Sequence, residues 1–270
     1  MAPMVYPLYT LQSSIGQQWL MNTTTIKNQP IIDQQFPNYG DTPSLSGPIS
    51  LLTLLNAINV AYRVKMSESK SDEEFKEIED KLYAGHKITI SLDEMLKYQD
   101  KYIGAEHHRP SMTLPQMEKL AMGLGFGTLL KFASPTPKQT ATTPKSDEKK
   151  KLEEFIKKDP SVMSSFQTAD QFKSFLCQKL SVRLSGIIAN YDRSLIIFNN
   201  NEDDGRTKSK DDTNIVYGLV GACSGDYFLI LDGDAQGPIW VHNQRLFEAM
   251  IVVDKKTGLP MGTLSVYELI

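Results

Sequence analysis

The chain has 270 residues, 40% hydrophobic and 23% charged, the balance of an ordinary globular protein long enough to bury a large core. A net charge of −3 gives no reason to expect nucleic acid or an anionic membrane as partner, and no apolar run reaches the length of a bilayer span. Its two cysteines, Cys177 and Cys223, make no disulfide framework and suit a reducing compartment.

Residues 1–41 are polar and rich in Gln and Asn, with Leu11, Ile15, Trp19 and Leu20 hinting at a helix over 9–20. The first sixteen residues place no basic segment ahead of an apolar core, so no signal peptide is expected and the chain reads as intracellular, cytoplasmic. A buried helix is predicted over 47–63, with Ser46 at its N-cap and Pro48 in the first turn, where a missing N–H costs nothing. Its apolar residues Ile49, Leu51, Leu52, Leu54, Leu55, Ile58 and Val60 cover most of the circumference. Residues 68–83 read as a surface helix with one buried stripe, Phe75, Ile78, Leu82 and Tyr83. Ser91 and Thr113 begin two further helices, the second ending at Gly123 or Gly125, before a strand over 128–132.

Residues 134–150 and 199–213 have the composition of surface loops, and the charges of 147–158 read as a solvated helix face. Between and after them come a helix over 169–179, strands over 185–191, 215–220 and 227–231, and a helix over 244–250. A last pair of strands, 251–253 and 263–267, flanks a turn at 254–258. Helices first and antiparallel strands second predict an α+β fold in one domain spanning 1–270.

Taken in order, these blocks resemble the phytochelatin synthases, papain-like cysteine transpeptidases. The carriers are Pro43-Ser44-Leu45-Ser46-Gly47-Pro48 with its Leu-rich helix and Leu55-Asn56-Ala57, and the glycine-containing helix end before 128–132. Further along they are Gly186-Ile187-Ile188-Ala189-Asn190-Tyr191, Leu229-Ile230-Leu231-Asp232, Ile239-Trp240-Val241 and Leu246-Phe247-Glu248-Ala249-Met250. The matched order spans about residues 8 to 268. The resemblance implies a two-lobe papain-like fold, helical N-terminal lobe and antiparallel C-terminal lobe, without the family's Cys-rich C-terminal extension. It also implies cysteine attack on glutathione, loss of glycine, and transfer of the γ-glutamylcysteinyl group.

Carried over by position, the family's nucleophilic cysteine falls on Ser46, its histidine on or beside Asn214, and its orienting carboxylate on Asp232. The glutamine that donates to the oxyanion falls on Gly40, and a substrate-holding arginine falls near Ala235. Serine depends more than cysteine on an adjacent base, and asparagine cannot take a proton near pH 7. Loss of triad members in a serine protease costs roughly 10⁶-fold in turnover. The expectation is therefore a pseudoenzyme, a structural or protein-binding subunit of a larger assembly, without cofactor. The alternative is an active γ-glutamylcysteinyltransferase, or a serine-type peptidase with a base from elsewhere, such as His107 or His108.

Other constellations carry less. Glu106-His107-His108 reads as a surface loop before Pro110, not a metal site, and His86 and His242 as surface or strand-end residues. Cys177 lies on an apolar helix and reads as a buried structural thiol, and Cys223 is expected in a turn with no base beside it. Gly123-Leu124-Gly125 follows a helix, so it reads as a C-cap and not a phosphate cradle.

Overall fold

A computed structural model describes residues 9–10, 45–104, 112–133, 165–182, 185–197, 215–231, 238–251 and 261–269. Within these, the strands are β1 (Tyr9–Thr10), β2 (Phe126–Ala133), β3 (Ser165–Phe166), β4 (Ser185–Asp192), β5 (Ile215–Ser224), β6 (Tyr227–Leu231), β7 (Ile239–His242) and β8 (Gly262–Glu268). They form one sheet in the order β1-β7-β6-β5-β4-β8-β2-β3, antiparallel throughout except for the β2–β3 pair. The helices are α1 (Ser46–Ala57), α2 (Ala61–Ser67), α3 (Asp72–Tyr83), α4 (Leu92–Tyr102), α5 (Leu114–Gly123), α6 (Ala169–Leu180), α7 (Arg193–Ile197) and α8 (Asn243–Met250). The fold is α+β.

Both faces of the sheet are buried, which explains why β4 and β5 read as continuous apolar runs instead of alternating ones. One face carries Ile188, Tyr217, Leu219, Leu231, Leu264 and Val266, packed in one core with apolar residues of α1, α2, α4 and α5. On the other, Ile187, Ala189, Tyr191, Val216, Val220 and Ile230 pack with Phe172, Phe175 and Leu176 of α6 and Leu246, Phe247 and Met250 of α8. The period of two along each strand sorts neighbouring residues into these two cores.

Local chemistry sets several element ends. Ser91 and Thr113 both complete capping boxes, with Glu94 and Gln116 reaching back to the cap amides. Thr168 caps α6 by accepting from the Gln171 N–H. Gly125, at φ +89, closes the turn after α5, as a helix C-terminus requires.

Other expectations are corrected. The central helix stops at Ala57 and not at 63, because Asn59 turns left-handed at φ 57 before the chain re-enters helix at Ala61. The stripe on α3 is not buried: no residue of that helix is, with Phe75 42% and Tyr83 83% exposed. Tyr9–Thr10, expected at the start of a helix, is a strand paired with β7; 11–20 lie outside the described residues. Ile251 is the C-cap of α8 and begins no strand, while 252–260 lie outside the described residues. Cys223 lies in β5 and not in a turn, and Cys177 is only half-buried. The segments 134–150, 147–158 and 199–213 lie outside the described residues. Among the described residues no helix is long and apolar enough to cross a membrane.

Candidate functional site

Ser46 is the first residue of α1, not its N-cap; Leu45 holds that place with helical dihedrals and no side-chain cap. The α1 helix is buried at Ser46 and on nearly every side beyond it, so the residue enters the interior with the helix, at 5% exposure. The Ser46 hydroxyl oxygen accepts the backbone N–H of Tyr217 in β5 at 3.1 Å. Tyr217 lies just beyond the described β5–β6 ladder, which runs from Leu219 to Ser224. The strand is pinned from its side chain as well, the buried Tyr217 hydroxyl donating to the Met112 carbonyl at 2.6 Å.

Close approach favours glycine at position 47, since a side chain there would require Met117 to move. A Cβ there would lie 2.8 Å from Met117 Sδ and 3.4 Å from the Tyr217 ring. Ser50 and Thr53 continue a buried polar stripe from Ser46 along the same side of α1. The mouth of the central helix is thus seated directly on β5.

Of the other positions expected to form the site, Gly40, Asn214, Asp232 and Ala235 lie outside the described residues, as do His107 and His108. The flanking strands are described: β5 begins at Ile215, opposite Asp192, and β6 ends at Leu231, opposite Leu219. Two histidines are described. His86 is exposed beyond α3, on a groove lined by Glu73, Lys76, Glu77, Asp80 and Lys81. His242 ends β7 and caps α8, its Nδ1 accepting the Gln244 N–H at 3.2 Å. Burial holds its imidazole below the ordinary value, with Asp226 pulling the other way. His242 opposes Tyr227, which opposes Ser224, so it sits seven residues of β5 from Tyr217, about 23 Å along a strand.

An activated serine needs a base within hydrogen-bond reach and a path for the acyl substrate. Ser46 has little exposure, and its oxygen lone pair receives an amide proton. That geometry holds helix to strand. Among the described residues no group of three or more His, Cys, Asp or Glu side chains could hold a metal ion.

Sequence reasoning missed a second cluster, on the opposite side of the sheet. Cys177 of α6 and Cys223 of β5 are neighbours on one core, with Lys173 close to both and paired with Asp226. The only signal in the sequence was that the chain holds just these two cysteines.

No known family model matches the chain, and it has no match among curated proteins.

Proposed function

We propose that this chain is a catalytically silent relative of the phytochelatin synthases, its papain-like two-lobe scaffold kept as a structural or protein-binding subunit of a larger intracellular assembly. The observation that carries the reading is Ser46. A side chain that the resemblance puts in the nucleophile's place is buried at the helix mouth and accepts the Tyr217 amide. The substitutions at Gly40 and Asn214 remove the oxyanion donor and the base that the resemblance implies. The close packing of α1 around Ser46 supports a scaffold kept for structure. The scaffold uses no cofactor and works in the cytoplasm.

Purified protein given glutathione and a thiophilic ion such as cadmium should release no glycine above background, and Ser46→Ala should leave that background unchanged. Glycine release that disappears in Ser46→Ala would overturn the reading. The subunit role is tested by size: the protein in native lysate should run far larger than the purified chain, and equal sizes would remove it.

A further inference from the structure

The chain's only two cysteines, far apart in sequence, meet where α6 packs on β5. Each is partly exposed, and each packs against the core that contains Phe172, Phe175, Phe228 and Phe247. Cys223 stands opposite Phe228 in the β5–β6 ladder, Phe228 meets Phe172 of α6 at 5.9 Å, and the Lys173–Asp226 ion pair ties α6 to the turn after β5, so the two thiols are neighbours at one helix–strand junction. One turn before Cys177 on the same helix face, Lys173 reaches both sulfurs with its charge and is tethered by the Asp226 carboxylate. The residue types and their placement are those of a reactive dithiol, with a thiol accessible, paired and beside a fixed cation.

We propose that Cys177 and Cys223 are a redox-active pair that closes to an intramolecular disulfide by exchange with a small-molecule disulfide of the oxidised-glutathione class, covalently linking α6 to β5. The Cys177 thiolate attacks one sulfur of the small disulfide, forming a mixed disulfide and expelling one thiolate. Cys223 then loses its proton and attacks the Cys177 sulfur, expelling the second thiol. Two protein thiols are oxidised and one small disulfide is reduced to two thiols.

The roles of the two sulfurs follow from their surroundings. The neighbouring Cys223 thiol outweighs burial and, with Lys173, brings the Cys177 thiol down to about 7, which favours its thiolate as the attacking form. Cys223 is pushed up, first by the neighbouring Cys177 sulfur, then by burial and by the Cys177 charge. Two of those three causes vanish once Cys177 is capped in the mixed disulfide. The first step therefore prepares the second.

The test is exchange of the purified full chain with oxidised glutathione near pH 7, followed by acid quench, alkylation and intact mass. The wild type should lose two hydrogens, carry no glutathione and hold no alkylatable thiol, with the link inside one chain. Cys223→Ser should stop at a single glutathione adduct on Cys177. Cys177→Ser, still folded by circular dichroism, should react at Cys223 at least about tenfold more slowly. Lys173→Gln should slow capture at Cys177 several-fold, with Lys173→Arg restoring the rate. A wild type that stays reduced, stops at the adduct or links two chains would overturn the proposal. Equal capture rates at the two cysteines would overturn it as well.

Discussion

Ser46→Ala removes the acceptor for the Tyr217 amide inside the protein and leaves a buried donor to find another partner. Leaving such a group unsatisfied costs about 1–3 kcal/mol. The variant's unfolding free energy from urea titration should therefore fall by about that much while its glycine release stays at background. The same residue permits a constructive test. If the resemblance has mapped the site correctly, Ser46→Cys combined with Asn214→His should restore nucleophile and base beside Asp232. Gly40→Gln should add an oxyanion donor, a group worth ~2.7–4 kcal/mol in other hydrolases. Such members act as a unit, so Ser46→Cys alone should react slowly with a thiol-directed probe at mildly acidic pH, and the triple variant much faster. Equal, slow labelling of both would show that position 214 is not the base position.

Between α2 and α4 the contacts are ionic, and their pH dependence has a definite sign. Glu68, at the C-cap of α2, accepts from Tyr102 Oη at 2.5 Å and pairs with Lys101 Nζ at 2.6 Å, both in the last turn of α4. Burial would raise its pKa, but the Lys101 and Tyr102 hydrogen bonds outweigh that and hold the carboxyl below the ordinary range. Glu94 in the first turn of α4 behaves alike, burial opposed by the Ser91 amide and Lys65. A carboxyl whose pKa is lower folded than unfolded stabilises the protein fully above the unfolded value, about 4.3, and loses that contribution as pH falls through the folded value. The urea midpoint should thus fall on acidification through that window, and Glu68→Gln should flatten part of the fall. An unchanged pH profile in the variant would show that the Glu68 carboxyl contributes nothing to that fall.

One sheet joins the two ends of the described chain. Strand β2 pairs with β8 over seven registered positions, Phe126 to Phe132 against Glu268 to Gly262. That pairing places the helices α1, α2, α4 and α5 on one face and α6 and α8 on the other, so either core depends on the sheet between them. Gly262 is where the ladder is tightest: a Cβ there would lie 2.1 Å from the Lys131 carbonyl oxygen and 2.8 Å from the Phe132 Cα. Backbone cannot swing aside as a side-chain end can, so Gly262→Ala should cost about 3 kcal/mol or more. Denaturation followed by tryptophan fluorescence and by circular dichroism should show both probes shifting together. A variant as stable as the wild type would mean that β8 is not seated against β2 in this register.

Helix starts at Ser91 and Thr113 and the strands over 185–191, 227–231 and 263–267 were legible in the sequence because their causes are local. A capping hydrogen bond or an apolar run is written within a few consecutive residues. The α+β class follows from the order of such elements. The short strands Tyr9–Thr10, Ser165–Phe166 and Ile239–His242 were not predicted, since two to four residues carry no period and exist only by pairing with a neighbour. The stripe on α3 shows the limit of periodicity: it reports what a helix can bury, and the rest of the chain decides whether anything covers it. Ser46 was singled out from its place before an apolar helix, but its partner is an amide 171 positions away. Cys177 and Cys223 were each read alone and meet only because α6 lies across β5. Local preference is set by neighbours in the chain. Proximity across 46 or 171 residues is set by the balance of core packing and chain entropy over the whole fold, which no single segment contains.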